Sequence, residues 1–81
     1  MEQIRDLVPS DLTKTELEVL EYFLRNISVG EIIAIKELRL IYKIDDPVPI
    51  IEKLIQRGLI ERGEGCFNLS RKLLEAIKKR R

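Results

Sequence analysis

The chain contains no histidine and a single cysteine, Cys66. Without histidine, the commonest general base and the commonest metal ligand are both missing. One cysteine permits no internal disulfide and no cysteine-built zinc site, so Cys66 reads as a free thiol. The sequence has no Gly-x-Gly-x-x-Gly and no Gly-Lys-Ser/Thr phosphate loop. No apolar run approaches the roughly 18 residues that span a bilayer, and MEQIRDLVPS lacks a signal-peptide pattern. The adjacent acids Asp45 and Asp46 precede a helix, where carboxylates cap the first turn or complement its dipole. These absences argue against catalysis, predict neither cofactor nor metal, and point to a cytoplasmic binding module.

What is present suffices for one small domain. The 81 residues are 44% hydrophobic and 36% charged, well away from the composition of a disordered chain. Heavy use of Ile, Leu, Glu, Lys and Arg fits a thermophile's habit. The charge is unevenly placed. Residues 1–69 hold nine Lys/Arg and thirteen Asp/Glu, whereas residues 70–81 hold six and one. An acidic body of net −4 therefore carries a basic end of net +5.

Residues 1–12 read as an N-terminal extension. Thr13-Lys14-Thr15-Glu16 has the Thr-x-x-Glu pattern of a capping box, with Leu12 and Leu17 placed as a hydrophobic staple. A helix is predicted over 13–26, with Leu17, Leu20, Phe23, Leu24 and Ile27 on its buried face and Tyr22 off that stripe. Ser28-Val29-Gly30 should end it, and 31–34 reads as a short β-type segment. A second helix follows, burying Ile35, Leu38, Ile41 and Tyr42. Lys36, Arg39 and Lys43 lie on its opposite side, with Leu40 among them. Pro47 suits the first position of a third helix, and Pro49 still falls within its first turn. Ile50, Ile51 and Leu54 should converge on the core, and Gly58 should end the helix in the left-handed conformation. Residues 59–64 and 66–70 read as a hairpin around Gly63-Glu64-Gly65, with Phe67 and Leu69 inward and Cys66 and Asn68 outward. Ser70 can cap a last helix over 71–79.

At this point the chain resembles the winged helix-turn-helix domains of small archaeal and bacterial transcription regulators. LTKTELEVLEYFL, IAIKELRLIYKI and IIEKLIQRGLIERGEGCFNLS carry the likeness. The resemblance implies an α+β, mostly helical fold: a three-helix core with a two-stranded wing over 13–70, and an additional basic helix over 71–81. It also implies that the third helix enters a major groove, that the wing grips a neighbouring backbone, and that dimers are common. The same scaffold serves elsewhere as a protein-docking module, so fold alone does not decide function.

Two readings of the surface follow. As a transcription regulator binding duplex DNA as a homodimer, the chain would use Lys36, Arg39, Lys43, Lys53, Gln56, Arg62, Arg71, Lys72, Lys78 and Lys79, with Arg80 and Arg81 adding charge. Dimerisation would use Ile4, Leu7 and Val8 with Leu73, Leu74 and Ile77. Tyr22 could line such a contact or sit half-buried at the helix edge. The alternative is a protein-interaction module using Leu40, Val48, Glu52 and Ile55. The third helix argues for this alternative, because Pro49 and Glu52 leave Gln56 as the one useful amide on its outer face, which makes it a poor base reader. A weaker third reading is RNA or ribosome association through the basic end. The resemblance favours the first reading, and DNA binding is the expectation carried forward.

Overall fold

The computed structural model describes residues 8–79, apart from the side chains of Ile77 and Lys79. Ile4, Leu7, Arg80 and Arg81, expected above at a dimer contact and a basic end, lie outside the described residues. Four helices and a three-stranded antiparallel sheet follow one another as α1 (Lys14–Arg25), β1 (Ser28–Gly30), α2 (Glu31–Leu40), α3 (Pro47–Gln56), β2 (Ile60–Gly63), β3 (Cys66–Leu69) and α4 (Arg71–Lys79). The fold is a mostly helical α+β arrangement.

Helix α1 begins where the capping box predicts. Thr13 Oγ1 accepts from the Glu16 amide at 3.1 Å, and Glu16 Oε1 accepts from the Thr13 amide at 2.9 Å. The reciprocal pair satisfies two of the amides that a helix start leaves unpaired. The buried face differs from the predicted stripe. Val19, Leu20, Tyr22 and Phe23 are buried, while Leu17 and Ile27 are each 40% exposed. Tyr22 is thus neither a dimer contact nor half-buried. Its ring packs edge-on against Phe23 and Tyr42, and its hydroxyl donates to Glu37.

The segment after α1 departs most from expectation. The strand is Ser28–Gly30, and residues 31–34 open α2 instead of forming a β-type segment. β-Branched Ile32 and Ile33 favour strands by propensity. Pairing decides otherwise. Ser28, Val29 and Gly30 take Asn68, Phe67 and Cys66 as antiparallel partners. The Glu31 amide then donates to the Gly65 carbonyl at 2.9 Å, so the strand stops at the hairpin's turn and the helix starts there.

Helix α3 survives both prolines, since each falls where the helix needs no amide hydrogen bond. Asp46 at its N-cap makes no side-chain cap bond. The first and third helical positions are Pro47 and Pro49, which have no N–H, so only the Val48 amide is left as a donor for capping by the acids. Ile51 and Leu54 are fully buried, with Ile50 half-buried against them. The helix ends in a Schellman arrangement. Gly58 at φ 77° donates to Ile55, and Leu59 donates to the Leu54 carbonyl at 3.0 Å.

Strand β3 lies between β1 and β2. Phe67 and Leu69 face the core and Cys66 and Asn68 are half-buried on the other side, as the alternation predicts. Gly65 takes φ 67° in the turn. Ser70 Oγ accepts from the Leu73 amide at 3.3 Å and caps α4. Leu73 is 1% exposed and belongs to the core. Val8 also packs against that core. The expected dimer surface therefore loses Leu73, whose side chain is buried within its own chain, whereas Val8 is half-buried.

Candidate protein-binding face

Helix α2 is apolar on two sides. Six of its ten residues, EIIAIKELRL, are aliphatic or Ala, and they are spread around the helix instead of gathered in one stripe. One side is covered: Ala34 and Leu38 are fully buried. The other side faces solvent. Ile32 is 81% exposed, Ile33 55% and Leu40 61%, and Ile41 at the helix end is 66% exposed. Ile32, Ile35, Lys36, Arg39 and Leu40 line a shallow concavity of about 500 Å³. These residues recur at three- and four-residue spacings, so they form one stripe about two turns long.

The charges on this stripe share one sign. Lys36 and Arg39 stand three residues apart, and Lys43 follows four residues after Arg39. Like charges at these spacings repel by a few tenths of a kcal/mol, roughly 0.2–0.5, where helical geometry holds. Among the described residues, none of the three has an acidic group within salt-bridge reach. The acid nearest to Lys36 and Arg39 in sequence, Glu37, accepts the Tyr22 hydroxyl bond at 2.5 Å and is half-buried. Lys43 adopts φ 58°, a left-handed conformation that non-glycine residues seldom take.

The cations around α3 are in a different state. Lys53 Nζ lies 3.3 Å from Glu16 Oε2, and Arg57 makes two bonds to the Asp11 carboxylate, the shorter 2.7 Å. Arg62 pairs with Glu52, and its guanidinium sits over the Phe67 ring at 5.4 Å. The Arg57 guanidinium holds the Asp11 carboxyl below its ordinary pKa, and Asp11 in turn raises that of Arg57. The Thr13 amide, helped by Lys53, does the same for Glu16. Arg57, Lys53 and Arg62 are therefore neutralised within the chain.

The residues predicted for DNA contact fall into separate places. Lys36, Arg39 and Lys43 are exposed on or just after α2, and Gln56 is exposed on α3. Lys53 and Arg62 are exposed but paired as above. Arg71, Lys72 and Lys78 are exposed on α4, where Lys79 also falls. Glu61 Oε2 accepts from the Arg71 amide at 3.0 Å at the start of that helix.

The residues predicted for protein contact divide too. Leu40 joins the exposed stripe. Val48 and Ile55 are half-buried, with Ile55 packed against the core, and Glu52 is held by Arg62. Neither Val48 nor Ile55 lines the concavity beside Leu40. Ile32 and Ile33, the most telling members of the face, were not singled out by pattern. Assigning 31–34 to a strand hid them, although a helix apolar on both sides was present in the sequence as a signal.

Among the described residues, no helix is long and apolar enough to cross a membrane. Residues 13–75 match the family described as PolB1 Binding Protein 2. No curated protein matches the chain.

Proposed function

The chain belongs to the PolB1 Binding Protein 2 family, and from that premise we propose that it is a protein-docking module that binds PolB1 through the outer face of α2. One observation carries the choice of face: Ile32, Ile33 and Leu40 are exposed together on a helix whose other side is already buried. Contiguous apolar surface of this kind marks a contact site. Covering one such side chain stabilises a complex by about 1.5–3 kcal/mol, which is tenfold or more in affinity. The internal pairing of Lys53 on α3, Arg57 at its end and Arg62 on β2 supports the same reading, because it engages the cations of the helix and wing that would have to approach phosphate. The architecture is read as a winged helix-turn-helix, with β2 and β3 as the wing, turned from base reading to binding a protein. The role is binding and not catalysis.

Isothermal titration of the full chain with PolB1 tests the proposal. Ile32→Asp and Leu40→Asp should each weaken binding tenfold or more while leaving the circular dichroism spectrum unchanged. Lys72→Glu on α4 should leave it intact. Unchanged affinity in both aspartate variants would remove α2 from the contact.

Duplex-DNA binding by a homodimeric regulator is the second reading. It is favoured by Arg71, Lys72 and Lys78, all exposed near the basic end of the chain. Micromolar binding to a random duplex at about 50 mM salt, collapsing at about 200 mM, would support it.

A further inference from the structure

We infer that the element of PolB1 that seats on α2 is an acidic amphipathic helix. The inference rests on the docking reading above and adds the chemistry of the occupant.

Shape comes first. The concavity runs from Ile32 to Leu40, eight residues or about 12 Å at 1.5 Å per residue. Two turns of a partner helix offer aliphatic side chains at i, i+3/i+4 and i+7 over the same length. An extended strand has nothing to pair with here, because the backbone groups in the interior of α2 bond within the helix. An open sheet edge would be needed instead.

Charge decides the sign of the partner. Lys36 and Arg39 line the apolar concavity, repel one another along the helix, and have no acidic neighbour within reach among the described residues. Glu37 is held by Tyr22. An occupant with carboxylates flanking its aliphatic stripe relieves that repulsion and completes the pairs. A second copy packing α2 on α2 does the opposite, bringing Lys36 and Arg39 toward their own counterparts. A nucleic acid backbone would match the charges but leave Ile32, Ile33 and Leu40 against a hydrophilic ribbon.

The test uses the full chain and PolB1. Lys36→Glu/Arg39→Glu should weaken binding at least tenfold at about 50 mM salt, and raising salt should weaken wild-type binding while narrowing the gap to the variant. Zero-length carbodiimide coupling should join Lys36 to Asp or Glu residues of PolB1 spaced three or four apart. If PolB1 binds, requires Ile32 and Leu40, yet ignores the charge reversal and salt, the docking face stands and the acidic occupant is overturned. Coupling that never reaches Lys36 in a formed complex overturns it as well. If wild-type protein fails to bind PolB1 at all, the docking reading itself falls and takes this inference with it. Loss of duplex binding but not PolB1 binding on charge reversal assigns the two cations to phosphate instead.

Discussion

The Tyr22 hydroxyl donates to Glu37 Oε1 at 2.5 Å, joining α1 to α2. The bond fixes the direction of the Glu37 side chain. Glu37 is the acid closest in sequence to Lys36 and Arg39, and it is turned toward α1, outside salt-bridge reach of either cation among the described residues.

Tyr22→Phe should lower stability by about 1 kcal/mol, measured by urea unfolding at pH 7. It should also change the alkaline limb. Burial first, and the Glu37 bond second, raise the Tyr22 phenol well above its ordinary value of 10. A raised pKa contributes stability that is full below pH 10 and is lost as pH rises toward the folded value. Wild-type protein should therefore weaken above pH 10 more steeply than the variant. Identical slopes would exclude Tyr22 as the titrating group.

Glu16→Gln tests the acid side. The Thr13 amide and Lys53 depress the Glu16 carboxyl below its ordinary value of 4.5. A depressed pKa gives stability that is present above 4.5 and is lost as pH falls through the lower folded value. The glutamine variant keeps an acceptor for the capping box but has no proton to gain. Its stability should fall less between neutral pH and pH 3, as followed by thermal melts across that range.

Gly58→Ala should destabilise by about 1–2 kcal/mol, the strain of a left-handed backbone with a Cβ. A Cβ there meets nothing within 4 Å, so the loss is conformational and not steric crowding. Gly58→Asn should cost less, since Asn tolerates this region. Equal losses in the two variants would point away from the backbone explanation.

Leu73 and Ile32 make a paired comparison. Leu73→Ala should cost about 2–5 kcal/mol, the usual loss for a buried leucine. Ile32→Ala, at an exposed position, should stay within about 0.5 kcal/mol. Denaturant titration of both variants measures the contrast. A large loss at Ile32 would mean that it supports the fold instead of presenting a surface.

Much of the fold was legible because local chemistry decided it. The capping box at Thr13, the prolines at 47 and 49, Gly58, the Gly65 turn and the Phe67/Leu69 alternation each fix a short stretch without help from afar. The failures occur where a distant partner chose. Ser28–Gly30 became a strand because Cys66–Asn68 lies beside it, some forty residues later in the chain. Tyr22 and Val19 are buried, and Leu17 is not, because the positions of α3 and β3, with Tyr42 against Tyr22, set which side of α1 is covered. The candidate face was half legible. Lys36, Arg39 and Leu40 were placed together on the solvent side of a helix, whereas Ile32 and Ile33 were lost with the misassigned strand. The pairing of Arg62 with Glu52, and of Arg57 with Asp11, links positions that no helical spacing relates.

The middle strand of the sheet is the last strand to be synthesised. Both outer strands find their hydrogen-bonding partner only in Cys66–Leu69, so a nascent chain halted before residue 66 has two strands and no sheet. Closure of the β1–β3 ladder joins segments some forty residues apart, at an entropic cost that the local contacts of the helices do not carry. The domain consequently assembles after nearly all of it has been translated, and a premature stop anywhere ahead of β3 yields a polypeptide open to proteolysis instead of a smaller working module.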